Sequence, residues 1–320
     1  KQYLCRFQTS SYQMISRRNI RVKVMQLLYM IEAADTSVTR QKPEIELKKQ
    51  FDQTTSLFVY LLYFITEVAR YAETSAVKRA SRNLPTTADL NVNTKIAGNE
   101  LLWSILESAT FQKAVETFLP EKILDKDLVK KIYTELTALP QYQEYIAVEG
   151  REKVKEKEVI KLIFTHLMLP NESFISHIEE HYNNWDDDAE MMEQLMLNYI
   201  QKPNSYNLQE MVSQEKWQFA KTLLVTSIEK KEQATELIKP KLKNWDAERI
   251  AQLDMILMRM GVCELLYFET IPTKVTINEY IDLAKEYSTQ QSGQFVNGIL
   301  DNIHKELTEE GKIQKIGYKK

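Results

Sequence analysis

Glycine and proline are scarce, at 7 and 8 residues in a chain of 320, where average usage would supply roughly 22 and 16. Sheet proteins need such residues at their tight turns, so the shortage predicts an all-α fold. It also removes the loops that cradle phosphates. Neither GxGxxG nor GxxxxGK[ST] occurs, which disfavours dinucleotide-binding folds and P-loop hydrolysis. The two cysteines, Cys5 and Cys263, lie far apart with no second Cys or His at ligand spacing. A disulfide framework and a zinc knuckle are therefore not expected, and a reducing, cytoplasmic compartment is. No apolar core of a secretory signal opens the chain, and the densest apolar run, 255–268, is short for a membrane span and is interrupted by Arg259 and Glu264.

The formal net charge of −3 conceals an uneven distribution. Residues 1–31 hold six Lys and Arg and no acid, residues 311–320 hold four lysines, and the remaining 279 residues sum to −13. A basic head and tail thus flank an acidic body, although the average predicts no preference for nucleic acid.

From Ser16, a plausible N-cap, Ile20, Val24, Leu27 and Ile31 recur at helical spacing and predict an amphipathic first helix. At 100° per residue, Arg18, Arg21, Met25 and Tyr29 share its flank. Residues 35–43 close that helix, and a long helix is predicted over 44–80 around LFVYLLYFI. A polar loop at 81–98 precedes segments near 99–119, 125–147, 151–169 and 172–201. After a break at 203–207, further helices are predicted at 208–238, 246–268, 273–287 and 292–308. The 246–268 segment is apolar nearly all round, which marks a helix enclosed by its neighbours. The charged run 150–161 reads as a solvated helix face and the lysine-rich end as frayed. Asn184-Trp185-Asp186 is echoed by Asn244-Trp245-Asp246 at a slipping offset, as chance or convergent capping would give as readily as a decayed duplication.

No catalytic constellation emerges. His177 and His181 have helical i, i+4 spacing but lack the Glu placement of a zinc protease, and no third ligand presents itself, so a surface pair is expected rather than a metal site. The acids 186–188 and Glu190 suit a helix N-terminus better than a calcium loop, and Cys263 reads as a core residue. The basic first helix remains. Arginines supply phosphate contacts and Tyr29 a ring on which unpaired bases could stack, so single-stranded RNA and a solvated face are the two readings. Phe295, in the loop-to-helix stretch 290–298, is similarly either core or base platform.

The stretch LDMILMRMGVCELLYFETIPTKVTINEYIDLAKEYSTQQSGQFVNGILDNI (253–303) resembles the signature half of the NusB family of transcription antitermination factors, and RRNIRVKVMQLLY (17–29) resembles its arginine-rich first helix. The resemblance implies an all-α, NusB-like helical bundle of two packed subdomains. It also implies a non-enzymatic factor, without metal or cofactor, that binds boxA-type single-stranded RNA of ribosomal RNA leaders. The implied partners are the ribosomal protein NusE and the RNA polymerase antitermination complex, with no membrane. Carried over by position, the RNA face comprises Arg17, Arg18, Arg21, Gln26 and Tyr29 with Gln291, Ser292, Gln294, Phe295 and Asn297, and Asp254 faces the protein partner. Gln294 stands where the family often has a basic residue. The implied organisation is an extension at 1–13, the first helix at 14–38, a large inserted helical region at 39–206, the C-terminal core at 207–310 and a basic tail at 311–320. An RNA cytosine methyltransferase with a similar domain would need a glycine-rich cofactor domain and a Pro-Cys nucleophile, which the chain does not contain. A helical interaction scaffold that kept this fold without RNA is the remaining alternative.

Overall fold

The computed structural model describes residues 15–33, 42–203, 206–242, 250–289 and 291–316. The extension at 1–13, the connector at 35–41, the second Asn-Trp-Asp and the last four residues lie outside them. Among the described residues there is no strand, and the fold is all-α. The helices are α1 (Arg17–Ala33), α2 (Pro43–Ala80), α3 (Thr87–Leu90), α4 (Glu100–Leu106), α5 (Ala109–Phe118), α6 (Lys126–Ala138), α7 (Pro140–Ala147), α8 (Lys153–Leu162), α9 (Glu172–His181), α10 (Trp185–Gln201), α11 (Gln214–Glu229), α12 (Lys231–Ile238), α13 (Gln252–Tyr267), α14 (Thr273–Tyr287) and α15 (Ser292–Glu309). None is long and apolar enough to cross a membrane. Two compact units divide the chain, one containing 51–211 and the other 15–50 with 212–320, and the division falls inside α2.

The unit containing 51–211 is built on α2, whose residues from Leu57 to Leu62 are all buried, followed by Phe64, Ile65, Val68 and Ala69. Rings from two other helices pack on it: Phe64 lies 4.9 Å from Phe174 of α9, and Phe58 meets Tyr199 of α10 edge-on at 5.7 Å. The acids at 186–188 do open α10. Asp188 among them is buried and accepts a hydrogen bond from Thr54 Oγ1 at 3.0 Å. The charged run 150–161 is not wholly a solvated face. Glu156 is 1% exposed, and its carboxylate accepts from the Glu100 amide at 2.7 Å, from Tyr145 Oη at 2.7 Å and from Arg151 at 3.1 Å. It joins three elements because each brings a donor to one buried carboxylate.

In the second unit α13 is the central helix, enclosed by α1, α11, α12, α14 and α15. Every residue from Ile256 to Leu265 is buried. Its two internal charges are matched by α1: Arg259 bonds Glu32 at 2.8 Å, and Glu264 bonds Arg21. Gly261 permits close approach, since a Cβ there would lie 2.9 Å from a Leu300 methyl and 3.3 Å from the Tyr280 ring. Residues 311–316 of the lysine-rich end lie among the described residues. Lys315 Nζ donates to the carbonyls of Glu264 at 3.0 Å and Phe268 at 2.7 Å, satisfying acceptors that the end of α13 leaves open and favouring a cation there.

Candidate nucleic-acid interface

α1 begins with a reciprocal cap. Ser16 Oγ accepts from the Asn19 amide at 3.1 Å, and Asn19 Oδ1 accepts from the Ser16 amide at 3.2 Å, so Asn19 takes the place of the usual Glu or Gln of a capping box. This fixes the first turn, in which Arg17 and Arg18 stand side by side. Of the expected apolar face, Ile20, Val24 and Leu27 are inside at 2% exposure or less, and Ile31 is half-buried.

The arginines separate by environment. Arg17 pairs with Glu215 at 2.5 Å and lies 5.7 Å from the centre of the Phe219 ring. Arg18 pairs with Glu286 at 2.6 Å. Their side chains remain 39% and 36% exposed. Arg21 is 2% exposed. Its Nε and Nη2 donate to the two Glu264 oxygens at 2.8 and 2.7 Å, and Nη1 reaches Glu279 at 3.3 Å. Glu264 also accepts from Thr276 Oγ1 at 2.8 Å and Tyr280 Oη at 3.1 Å. Burial disfavours the Arg21 charge, but the bonds and charge of Glu264 outweigh it and hold the guanidinium above its ordinary pKa, aided by Tyr280 and Glu279. Burial foremost, then Glu264, pushes the Tyr280 phenol well above its usual range.

The helical wheel placed Arg21 on one flank with Arg18, Met25 and Tyr29. The structure splits that stripe: Arg21 and Met25 are buried, whereas Tyr29 is 44% exposed. Gln26 is half-buried, and its amide nitrogen has no protein acceptor among the described residues.

Around the start of α15, Gln291, Gln294 and Asn297 are exposed, whereas Ser292 and Phe295 are buried. Ser292 Oγ donates to Asp254 Oδ2 at 2.7 Å and accepts from the Thr289 amide at 3.2 Å, which ties the turn before α15 to the first turn of α13. Asp254, expected at a protein partner, is 5% exposed and oriented to this turn. Four of the residues expected at contacts, namely Arg21, Ser292, Phe295 and Asp254, thus lie within the packed unit, because each side chain points at a neighbouring helix. Gly293 lets α15 pass close to α14, where a Cβ would fall 2.6 Å from the Lys285 side chain.

Sequence reasoning missed Glu264, Glu279, Glu286 and Lys216. Lys216 is 6% exposed and donates to the Ile15 carbonyl just before α1. Burial foremost, then the Arg17 charge, lowers its ammonium to a pKa of about 8. Cys263 is fully buried, and burial pushes its thiol up to about 11. In the other unit, His177, Glu180 and His181 bring ligand-type atoms within 4.8 Å of one another, and His177 Nε2 shares a hydrogen bond of 2.6 Å with Tyr60 Oη.

The unit thus presents an arginine-bearing first helix locked by acids of α11, α13 and α14 onto a buried central helix. Comparison with known proteins finds a likeness over part of the chain. Residues 175–305 match the sequence profile of the NusB family. Over 99 residues the chain is 43% identical to a transcription antitermination protein NusB of Salinibacter ruber, covering 31% of this chain and 62% of that protein. It is 42% identical over 88 residues to the protein of that name in Finegoldia magna, covering 28% and 64%. Over 74 residues it is 47% identical to the one in Chloroherpeton thalassium, covering 23% and 35%. The chain thus spans just under two thirds of the first two relatives and about one third of the last. No solved structure matches it. Over these residues the chain is similar to the NusB family.

Proposed function

We propose that the protein is a non-enzymatic transcription antitermination factor that binds boxA-type single-stranded RNA together with ribosomal protein NusE, within an elongating RNA polymerase complex. The reading rests on the names of its relatives and on one observation above all. Arg17 and Arg18 stand partly exposed on the first turn of α1, and Arg18 reaches Glu286, a few residues before the exposed amides of Gln291, Gln294 and Asn297. Ion pairs at such exposure contribute only about 0–1 kcal/mol, so phosphates can displace Glu215 and Glu286 at small cost. Tyr29, three turns further along α1, offers an exposed ring.

In this proposal Arg17, Arg18, Tyr29, Gln291, Gln294 and Asn297 touch RNA. Arg21, Gln26, Ser292 and Phe295 hold those residues in place, and Asp254 acts through Ser292 rather than as a direct contact.

The test is titration of a boxA-type strand and a scrambled strand, with and without NusE, at several salt concentrations. Preference for the boxA strand, enhanced by NusE, is expected. Equal binding to both strands in both conditions would leave the interaction-scaffold reading.

A further inference from the structure

We infer that the unit containing 51–211 carries a second nucleic-acid site, a groove for the sugar–phosphate backbone of single-stranded RNA formed by Lys78, Arg79, Arg82 and Lys130. The groove has a volume of about 650 Å³, and no acidic residue lines it. That is unexpected from the surrounding composition: between residues 51 and 203 acids outnumber Lys and Arg by 24 to 16. Its cations come from two elements, the end of α2 with the turn after it, and α6.

The site is built rather than merely populated. Asp89, whose side chain is 4% exposed, accepts from Arg79 Nε at 2.8 Å and Arg82 Nη1 at 2.9 Å. Thr86 fixes the same carboxylate through a capping box at the start of α3. The bond from Arg79, with those from Thr86, holds Asp89 far below the usual carboxylate range. One carboxylate therefore orients two guanidinium groups, compensates only one charge and leaves terminal amino groups for another acceptor. Lys78 lies 5.4 Å from the centre of the Tyr71 ring, and Tyr71 packs on Tyr133 at 5.3 Å.

Helix-dipole chemistry accounts for Lys78 and Arg79 at the end of α2. It does not account for Lys130, which lies past the first turn of α6, where the dipole has little effect. An anion shared by all four groups does. A neighbouring groove of about 430 Å³ shares Tyr71, Lys78 and Lys130 and is lined by Glu67, Glu73 and Asp127 as well as Arg70 and Lys126, so cations without acids beside them are confined to the first groove. An acidic peptide would match the charge as well, but peptide sites draw their affinity from large apolar anchors. The non-aromatic apolar side chains here are only Ala88, Val92 and Ile146. A polyphosphate backbone needs no such anchor. The site is independent of α1 and stands or falls separately from the boxA reading.

The test uses the full chain and a 30-nucleotide oligouridine over a salt series. Lys78→Gln/Lys130→Gln removes two cations that make no ion pair with Asp89, and the same pair is made in an Arg17→Gln/Arg18→Gln background that silences the α1 face. In both backgrounds affinity should fall about tenfold at low salt, and the slope of log K against log salt should shrink by about 1.4, at roughly 0.7 per phosphate contact for single strands. Lys78→Arg/Lys130→Arg should restore both. Unchanged affinity and slope would overturn the proposal, as would failure of the arginine pair to restore binding. Polyglutamate competing as effectively as oligouridine would also overturn it, by assigning the groove to an acidic protein.

Discussion

Arg21 and Glu264 form a two-point ion pair, with Nε and Nη2 on the two carboxylate oxygens at 2.8 and 2.7 Å, in a place where the arginine keeps 2% of its exposure and the glutamate none. The pair joins the first helix to the central one. It converts an arginine that sequence spacing groups with surface residues into part of the frame carrying Arg17 and Arg18.

Breaking the pair from either side should be costly. Arg21→Met leaves the buried Glu264 carboxylate without its counter-charge, Glu264→Leu leaves Arg21 only the 3.3 Å contact with Glu279, and each should destabilise the protein by about 3–5 kcal/mol. The double variant should recover much of that loss. Urea unfolding of the three variants measures the coupling, and additive losses would show that the pair does not act as a unit.

The turn into α15 makes a second prediction. Phe295→Ala should cost about 3–5 kcal/mol of stability, as truncation of a core ring does, rather than lowering RNA affinity alone. Ser292→Ala should cost about 1–3 kcal/mol by removing the donor from the buried Asp254 carboxylate. Thermal melts paired with RNA titration separate the two effects.

Glycines should respond in opposite senses. A Cβ at Gly298 meets nothing within 4 Å, so Gly298→Ala within α15 should stabilise by about 0.5–1 kcal/mol. Gly261→Val, facing Leu300 and Tyr280 in the core, should destabilise by about 1–3 kcal/mol. Denaturant midpoints decide both.

Lys216 makes stability depend on alkaline pH. Its pKa falls from the ordinary 10.5 to about 8 on folding. Across that interval the unfolded chain binds more protons than the folded one, so stability contributed by this residue rises with pH. The stability of the parent relative to Lys216→Met should therefore increase between pH 8 and 10.5 and stay level below pH 8. A level difference throughout would show an unshifted lysine.

Helix existence was legible in the sequence, and helix breaks were less so. The stretches 273–287 and 292–308 fold nearly as spaced, and 44–80 is one helix. The 125–147 stretch divides at Leu139, because Pro140 starts a new helix and holds its predecessor extended. The 172–201 stretch divides where Tyr182 and the two asparagines leave helical geometry. No local pattern distinguishes Arg21 from Arg18, since burial of one and exposure of the other depend on Glu264, 243 residues away. Arg259 and Glu264 appeared as interruptions of an apolar run, and they are its two ties to α1. Lys315 reads in sequence as tail, and its role is visible only once the end of α13 is beside it.

The division between contact and frame on α1 is tested most directly by measuring unfolding free energy and boxA-strand affinity side by side on Arg18→Gln and Arg21→Gln. Arg18→Gln should change stability by less than about 1 kcal/mol while weakening binding and lowering its salt slope by about 0.7. Arg21→Gln should lose several kcal/mol of stability, with a salt slope equal to the parent's under conditions where it remains folded. Equal salt-slope losses in the two variants, with stability unaffected, would contradict the assignment of Arg21 to the frame.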